Sequence, residues 1–144
     1  SYNIMQYMKT VGVIIFFGLL LLGGAWWSRS LETKDPDVIA LRGIHWHPEL
    51  EIYAKGEKIE IPQNIGLVGG HSPMHTHDDL PFIHLEFSGR VTKDDVRLGA
   101  FFRVWGKDFR EFGQNVTMTV NGEPNAEFES YIMKDKDKIV LRYE

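Results

Sequence analysis

Between Thr10 and Ser28 the chain runs for nineteen residues without a charge, and VGVIIFFGLLLLGGAWW fills the middle. At about 1.5 Å per residue such a stretch makes a helix of roughly 28 Å, close to the thickness of a hydrocarbon core. The sequence therefore predicts one transmembrane helix in an N-terminal segment 1–28. Tyr2 and Tyr7 on one side and Trp26 with Trp27 on the other match the aromatic belts of the two membrane interfaces. A cleaved signal peptide is the competing reading. Against it, Ala25 is followed by two tryptophans, no clean small-x-small site is present, and the apolar run exceeds a usual signal core.

Lys9 precedes the span while Arg29 and Lys34 come after it, a charge count that leans slightly against export of the C-terminal part of the chain. A short N-terminal stub before a single span is nevertheless the arrangement of a signal anchor, and the opening at Ser1 leaves room for upstream residues. An extracytoplasmic C-terminal domain on a single-pass cell-membrane protein is expected. Residues 29–42 are polar, with one proline, and read as a linker; the domain is expected over 43–144.

Among all 144 residues the formal charge is −4, and the lysines and arginines are scattered, so nucleic acid is not an expected partner. There is no cysteine. Disulfides, thiolate metal sites, iron–sulfur clusters and thiol nucleophiles are thereby excluded, and any metal must be held by nitrogen and oxygen, with methionine sulfur as the other option.

Leu50, Ile52 and Ala54 alternate with polar neighbours, KGEK (55–58) supplies a turn, and Ile59 and Ile61 resume the alternation, which predicts a β-hairpin ending at Pro62. Ile83, Leu85 and Phe87 give a third strand. Val116, Met118 and Val120 give another before the Asn121-Gly122 turn, and Ile139–Tyr143 the last. Thr92-Lys93-Asp94-Asp95 looks like a helix start, and Leu98, Phe101, Phe102 and Trp105 make one apolar face that stops at Gly106. That stripe reads as core, not as a cofactor box. The expected class is α+β: an N-terminal transmembrane helix, then a mostly antiparallel β domain, small sheet or sandwich, with one amphipathic helix.

Four of the six histidines fall within GGHSPMHTHDDLPFIH (69–84). On a strand His75 and His77 point the same way, as do His45 and His47. If strands 74–77 and 82–87 are joined through Asp78-Asp79-Leu80-Pro81, residue 77 faces 82 and His75 faces His84, at about 5 Å between Cβ atoms. Imidazole donors of this kind suit zinc, copper, nickel or iron. The expected metal ligands are His75, His77 and His84, with His45 and His47 completing or adjoining the site. Glu86 shares the parity of His84 and is a candidate to bind the ion or to orient an imidazole. His71 reads as a solvated loop residue, Asp78 and Asp79 as turn formers, and Met74 as a packing residue. A lone histidine is usually structural; it is the conjunction of pairs that points to metal.

Gly69-x5-His75-Thr76-His77 resembles the opening of the first cupin motif, although no glutamate follows until Glu86. IHWHPELEIYAKGEKIEIPQNIGL, MHTHDDLPFIHLEF and LGAFFRVWGKDF, which together cover most of 43–143, are similar to segments of a family of small membrane-anchored histidine-motif proteins without an established activity. That resemblance implies that HWHP and HTH–IHxE belong to one site and implies nothing about the metal.

The function expected is capture or handling of copper or zinc outside the cytoplasm. The alternatives are a metalloenzyme with a three-histidine open site, cupin-like or hydrolytic, with Glu86, Glu49 or Asp78 as base, and an interaction subunit of a membrane complex whose histidines only support the fold. No HExxH, GxSxG or P-loop is present.

Overall fold

The computed structural model describes residues 2–30 and 35–144, in two compact units, Ser1–Asp35 and Pro36–Glu144. Residues 31–34, with Lys34 and part of the expected linker, lie outside the described residues, as do the side chains of Tyr2 and Arg29.

In the first unit one helix, α1, spans Tyr2–Ser30. It is longer than the apolar run, so the expected N-terminal stub is itself helical. Thr10 returns its hydroxyl to the Gln6 carbonyl at 3.0 Å and so adds no unpaired polar group to the apolar surface. Over Asn3–Ser28, α1 is long and apolar enough to cross a membrane, a property that a signal sequence shares.

The second unit is α+β. β1 (Val38–Ala40) pairs with β7 (Val91–Thr92), so part of the expected linker is a strand and the unit begins at Pro36, ahead of Gly43. β2 (Ile44–Trp46), β5 (Met74–His75) and β6 (His84–Phe87) form a three-stranded antiparallel sheet in the order β2-β6-β5. β3 (Glu49–Ala54), β4 (Glu57–Ile59), β8 (Val116–Val120), β9 (Glu123–Pro124) and β10 (Lys138–Tyr143) make a second sheet in the order β4-β3-β10-β8-β9. All its pairs are antiparallel except β3–β10. Two-residue turns close the β3–β4 and β8–β9 hairpins, at Lys55-Gly56 and Asn121-Gly122. All four residues have positive φ, the geometry that matches strand twist.

The amphipathic helix, α2, covers Leu98–Trp105. It does not begin at Thr92 as the acidic run suggests. Asp94–Val96 form a separate 3-10 turn, and Arg97 leaves helical geometry at ψ 144°. The cause is tertiary: Leu98 N–H donates to the Tyr131 carbonyl (2.9 Å) and Met133 N–H to that of Val96 (3.0 Å), a bridge across Arg97 and Ile132 that a continuous helix would break. At the other end Gly106 is left-handed, and its N–H and that of Lys107 close onto Arg103 and Phe102.

Phe101 and Phe102 of α2 are buried with Leu50 and Ile52 of β3, Leu85 of β6 and Leu141 of β10 in one core. The two sheets are stitched where the chain enters β6: Leu50 N–H donates to the Pro81 carbonyl (3.0 Å) and Ile83 N–H to that of Pro48 (2.8 Å). Phe101→Ala removes a fully buried ring and is expected to cost about 3–5 kcal/mol in denaturant unfolding.

Candidate metal centre

Three local devices aim the histidines. The first is register. β5 pairs with β6 so that His75 faces His84 while Met74 faces Leu85 on the core side, as the alternation predicts. On the other flank of β6, His45 of β2 faces Glu86. The middle strand therefore presents His84 and Glu86 on one face, between His75 and His45.

The second device ends β5 early. The expected strand over 74–77 stops at His75, and residue 77 does not pair with 82. Thr76 is taken by another segment: its N–H donates to the Ile65 carbonyl (3.1 Å), its carbonyl accepts from Asn64 (3.0 Å), and its hydroxyl joins the Pro62 carbonyl (2.8 Å) to the Ile65 N–H (3.1 Å). Phe82 pairs with Glu49 instead. His77 still turns inward, and its ring lies 4.7 Å from that of His75 and 4.8 Å from that of His84.

The third device fixes tautomers. His75 Nδ1 stands 2.9 Å from the Ser72 carbonyl, which can only accept, so Nδ1 carries the proton and Nε2 the lone pair. His84 Nε2 stands 3.0 Å from both oxygens of Asp79, so Nε2 carries the proton and leaves Nδ1 as the donor when the ring is neutral. Both remaining nitrogens, His75 Nε2 and His84 Nδ1, are buried without a hydrogen-bond partner. Glu86 Oε1 approaches His84 Nδ1 only to 3.5 Å. Two parallel, stacked imidazoles with orphaned nitrogens are costly in a protein interior unless something electrophilic takes them.

Ring contacts tie all six histidines into one cluster. His45 meets His47 at 4.8 Å, His47 meets His84 at 4.7 Å, and His71 meets His75 at 4.8 Å. The structure thus brings together each of His75, His77, His84, His45 and His47. His71 is exposed, as expected of a loop, yet borders the cluster. Two residues carry more than the sequence assigned. Asp79 does take part in the turn, accepting from Phe82 N–H at 3.3 Å, but its carboxylate also orients His84. Glu86 sits 3.6 Å from His45 Nε2 as well as beside His84. The signal for Asp79 was its five-residue spacing from His84 across a turn that the hairpin closes.

Electrostatics suit a cation. Burial holds His75 below the usual imidazole pKa, outweighing the opposing effect of its hydrogen bond to the Ser72 carbonyl, and so favours the neutral, ligating form. At Glu86 and Asp79 burial pushes upward, but the neighbouring histidines outweigh it and both carboxyls are held below the usual range. A neutral His75 beside two ionised carboxylates gives the cluster donors suited to a cation.

Donor atoms of His75, His77 and His84 lie within 4.8 Å of one another, and so do those of His45, His47 and Glu86. An ion with bonds of about 2.1 Å wants its donors about 3.4 Å apart, within reach of small ring rotations. The residues fit a transition metal. Beside them an open cleft of about 540 Å³ is lined by His47, Glu49, Asp79, Phe82, Asp135, Lys136 and Lys138. Glu51, by contrast, is engaged by Tyr53 (2.9 Å) and Lys58 (3.1 Å) on β3 and β4.

Comparison with protein-family models, curated proteins and solved structures yields no match for this chain. Its chemistry has to be read from these atoms.

Asp79→Asn keeps the shape of the side chain but weakens the bond that fixes His84. It is expected to lower zinc affinity about 10–100-fold without unfolding the domain, as read by competition with a chromophoric chelator and by circular dichroism.

Proposed function

We propose that this chain is a membrane-anchored, extracytoplasmic transition-metal-binding protein that captures or hands on copper or zinc through its histidine cluster. The observation that carries the reading is the pair of orphaned nitrogens. Ser72 and Asp79 hold the back of each ring, which leaves a buried lone pair on His75 and another on His84, and donor atoms of these two residues and His77 lie within 4.8 Å of one another. A structural histidine pair would direct those lone pairs to donors. All ligands are nitrogen or oxygen, which suits zinc and copper, and the affinity order of divalent ions favours copper slightly. The anchor is the reading given to α1, whose length and composition support it.

A metalloenzyme is the second reading, favoured by one feature: the cleft that reaches His47 and Asp79 would give a small substrate access to the cluster. Glu49 faces that cleft and is the base such an enzyme would have at hand. Coordination separates the two. A filled set of protein ligands argues for binding and transfer, three ligands plus water for catalysis.

The full chain, purified untagged in detergent micelles and offered copper or zinc, is expected to retain stoichiometric metal by mass spectrometry. The His75→Ala/His77→Ala variant is expected to lose the ion held by His75, His77 and His84. A parent that stays metal-free after both offers ends the metal reading. Protons compete with the metal for the imidazole lone pairs, and burial holds His75 below the usual imidazole pKa of about 6.5, so retention is expected to fall only as pH drops below that value, with chelator titrations across pH as the check.

A further inference from the structure

The six donors best placed in the cluster are five imidazoles and the Glu86 carboxylate, too many for one four-coordinate ion. They divide into two triads. His75, His77 and His84 form an inner set, with two of the three buried. His45, His47 and Glu86 form an outer set on β2, the segment after it and β6, with His45 two-thirds exposed. Neither triad fills a coordination sphere by itself, yet each meets the need for three convergent donors.

The triads touch. His47 packs edge-on against His84 at 4.7 Å. Glu86 Oε1 lies 3.6 Å from His45 Nε2 in the outer set and 3.5 Å from His84 Nδ1 in the inner one. A carboxylate standing between two nitrogen donor sets is the arrangement that lets one anion serve two adjacent cations and offset their repulsion. Asp79, hydrogen-bonded to the far side of His84, adds a second negative charge beside the inner set.

Resting on the metal-binding reading above, we infer that the centre is dinuclear. An inner ion would be held by His75, His77 and His84, and an outer ion by His45, His47 and Glu86, with Glu86 shared between them. Glu86 is thereby a ligand in its own right. The ligand class is a pair of divalent copper or zinc ions, at the close separation of two-metal sites, about 3.5–4 Å.

The test is a copper(II) titration of the metal-stripped full chain in detergent micelles, followed by metal analysis and electron paramagnetic resonance. Saturation at about two equivalents is expected, with the spectrum of isolated copper at the first equivalent broadened by spin–spin coupling at the second. His45→Ala/Glu86→Gln alters exposed or half-buried side chains and is expected to fold, to saturate at about one equivalent and to keep the uncoupled spectrum. A parent that saturates at one equivalent overturns the dinuclear inference while leaving the metal-binding reading intact. A parent that binds none overturns both. Two equivalents without coupling, or two retained by His45→Ala/Glu86→Gln, place the second ion elsewhere and overturn the assignment.

Discussion

The alternation of side chains along β6 couples the core to the histidine cluster. Ile83, just ahead of the strand, and Leu85 drive into the apolar interior; His84 and Glu86, one step out of phase, are pushed to the opposite face. Because the side-chain period is two, a slip of one residue would put His84 into the core and Leu85 into the cluster. Hydrophobic burial therefore sets the register, and the register sets the ligands. The stitches from Pro48 to Ile83 and from Pro81 to Leu50 hold that strand against the larger sheet, so the same two hydrogen bonds that close the fold also fix the height of His84.

Around β6 the neighbours are positioned by unlike means. His75 is on a two-residue strand whose continuation is pulled away by Ile65 and Asn64. His47 sits beyond β2, held through its backbone N–H by Asp135 at 2.9 Å. A Cβ on Gly66, itself at φ 77°, would come within 2.4 Å of the Met74 carbonyl, which shows how closely the 62–66 loop packs on the short strand. Polar groups that would be a liability in a core are thus organised by the 62–66 loop and by Asp135 as well as by the contacts between the rings.

Much of this was legible in the sequence, for local reasons. The hairpins follow from alternation plus Lys55-Gly56 and Asn121-Gly122, and the facing of His75 with His84 from counting residues across a turn. Strand neighbours that are distant in sequence were not legible. Nothing local in HWH says that β2 lies beside β6, so although its parity with His84 marked Glu86 as a candidate, its pairing with His45 emerges only from the fold. The start of α2 was misplaced for the same reason: the acidic first turn is a sound local signal, but the hydrogen bonds from Leu98 to Tyr131 and from Met133 to Val96 override it. Asp79 read as a turn residue because turn chemistry and carboxylate chemistry use the same side chain.

The larger sheet ends on short and poorly hospitable strands. β4 spans three residues with Glu57 and Lys58 exposed, and β9 spans two and closes on Pro124, which has no N–H to offer a newcomer. An open edge would invite neighbouring copies to zip together. Charge on one side and proline on the other discourage that growth, so crowding alone does not convert the sheet into a seed for aggregation.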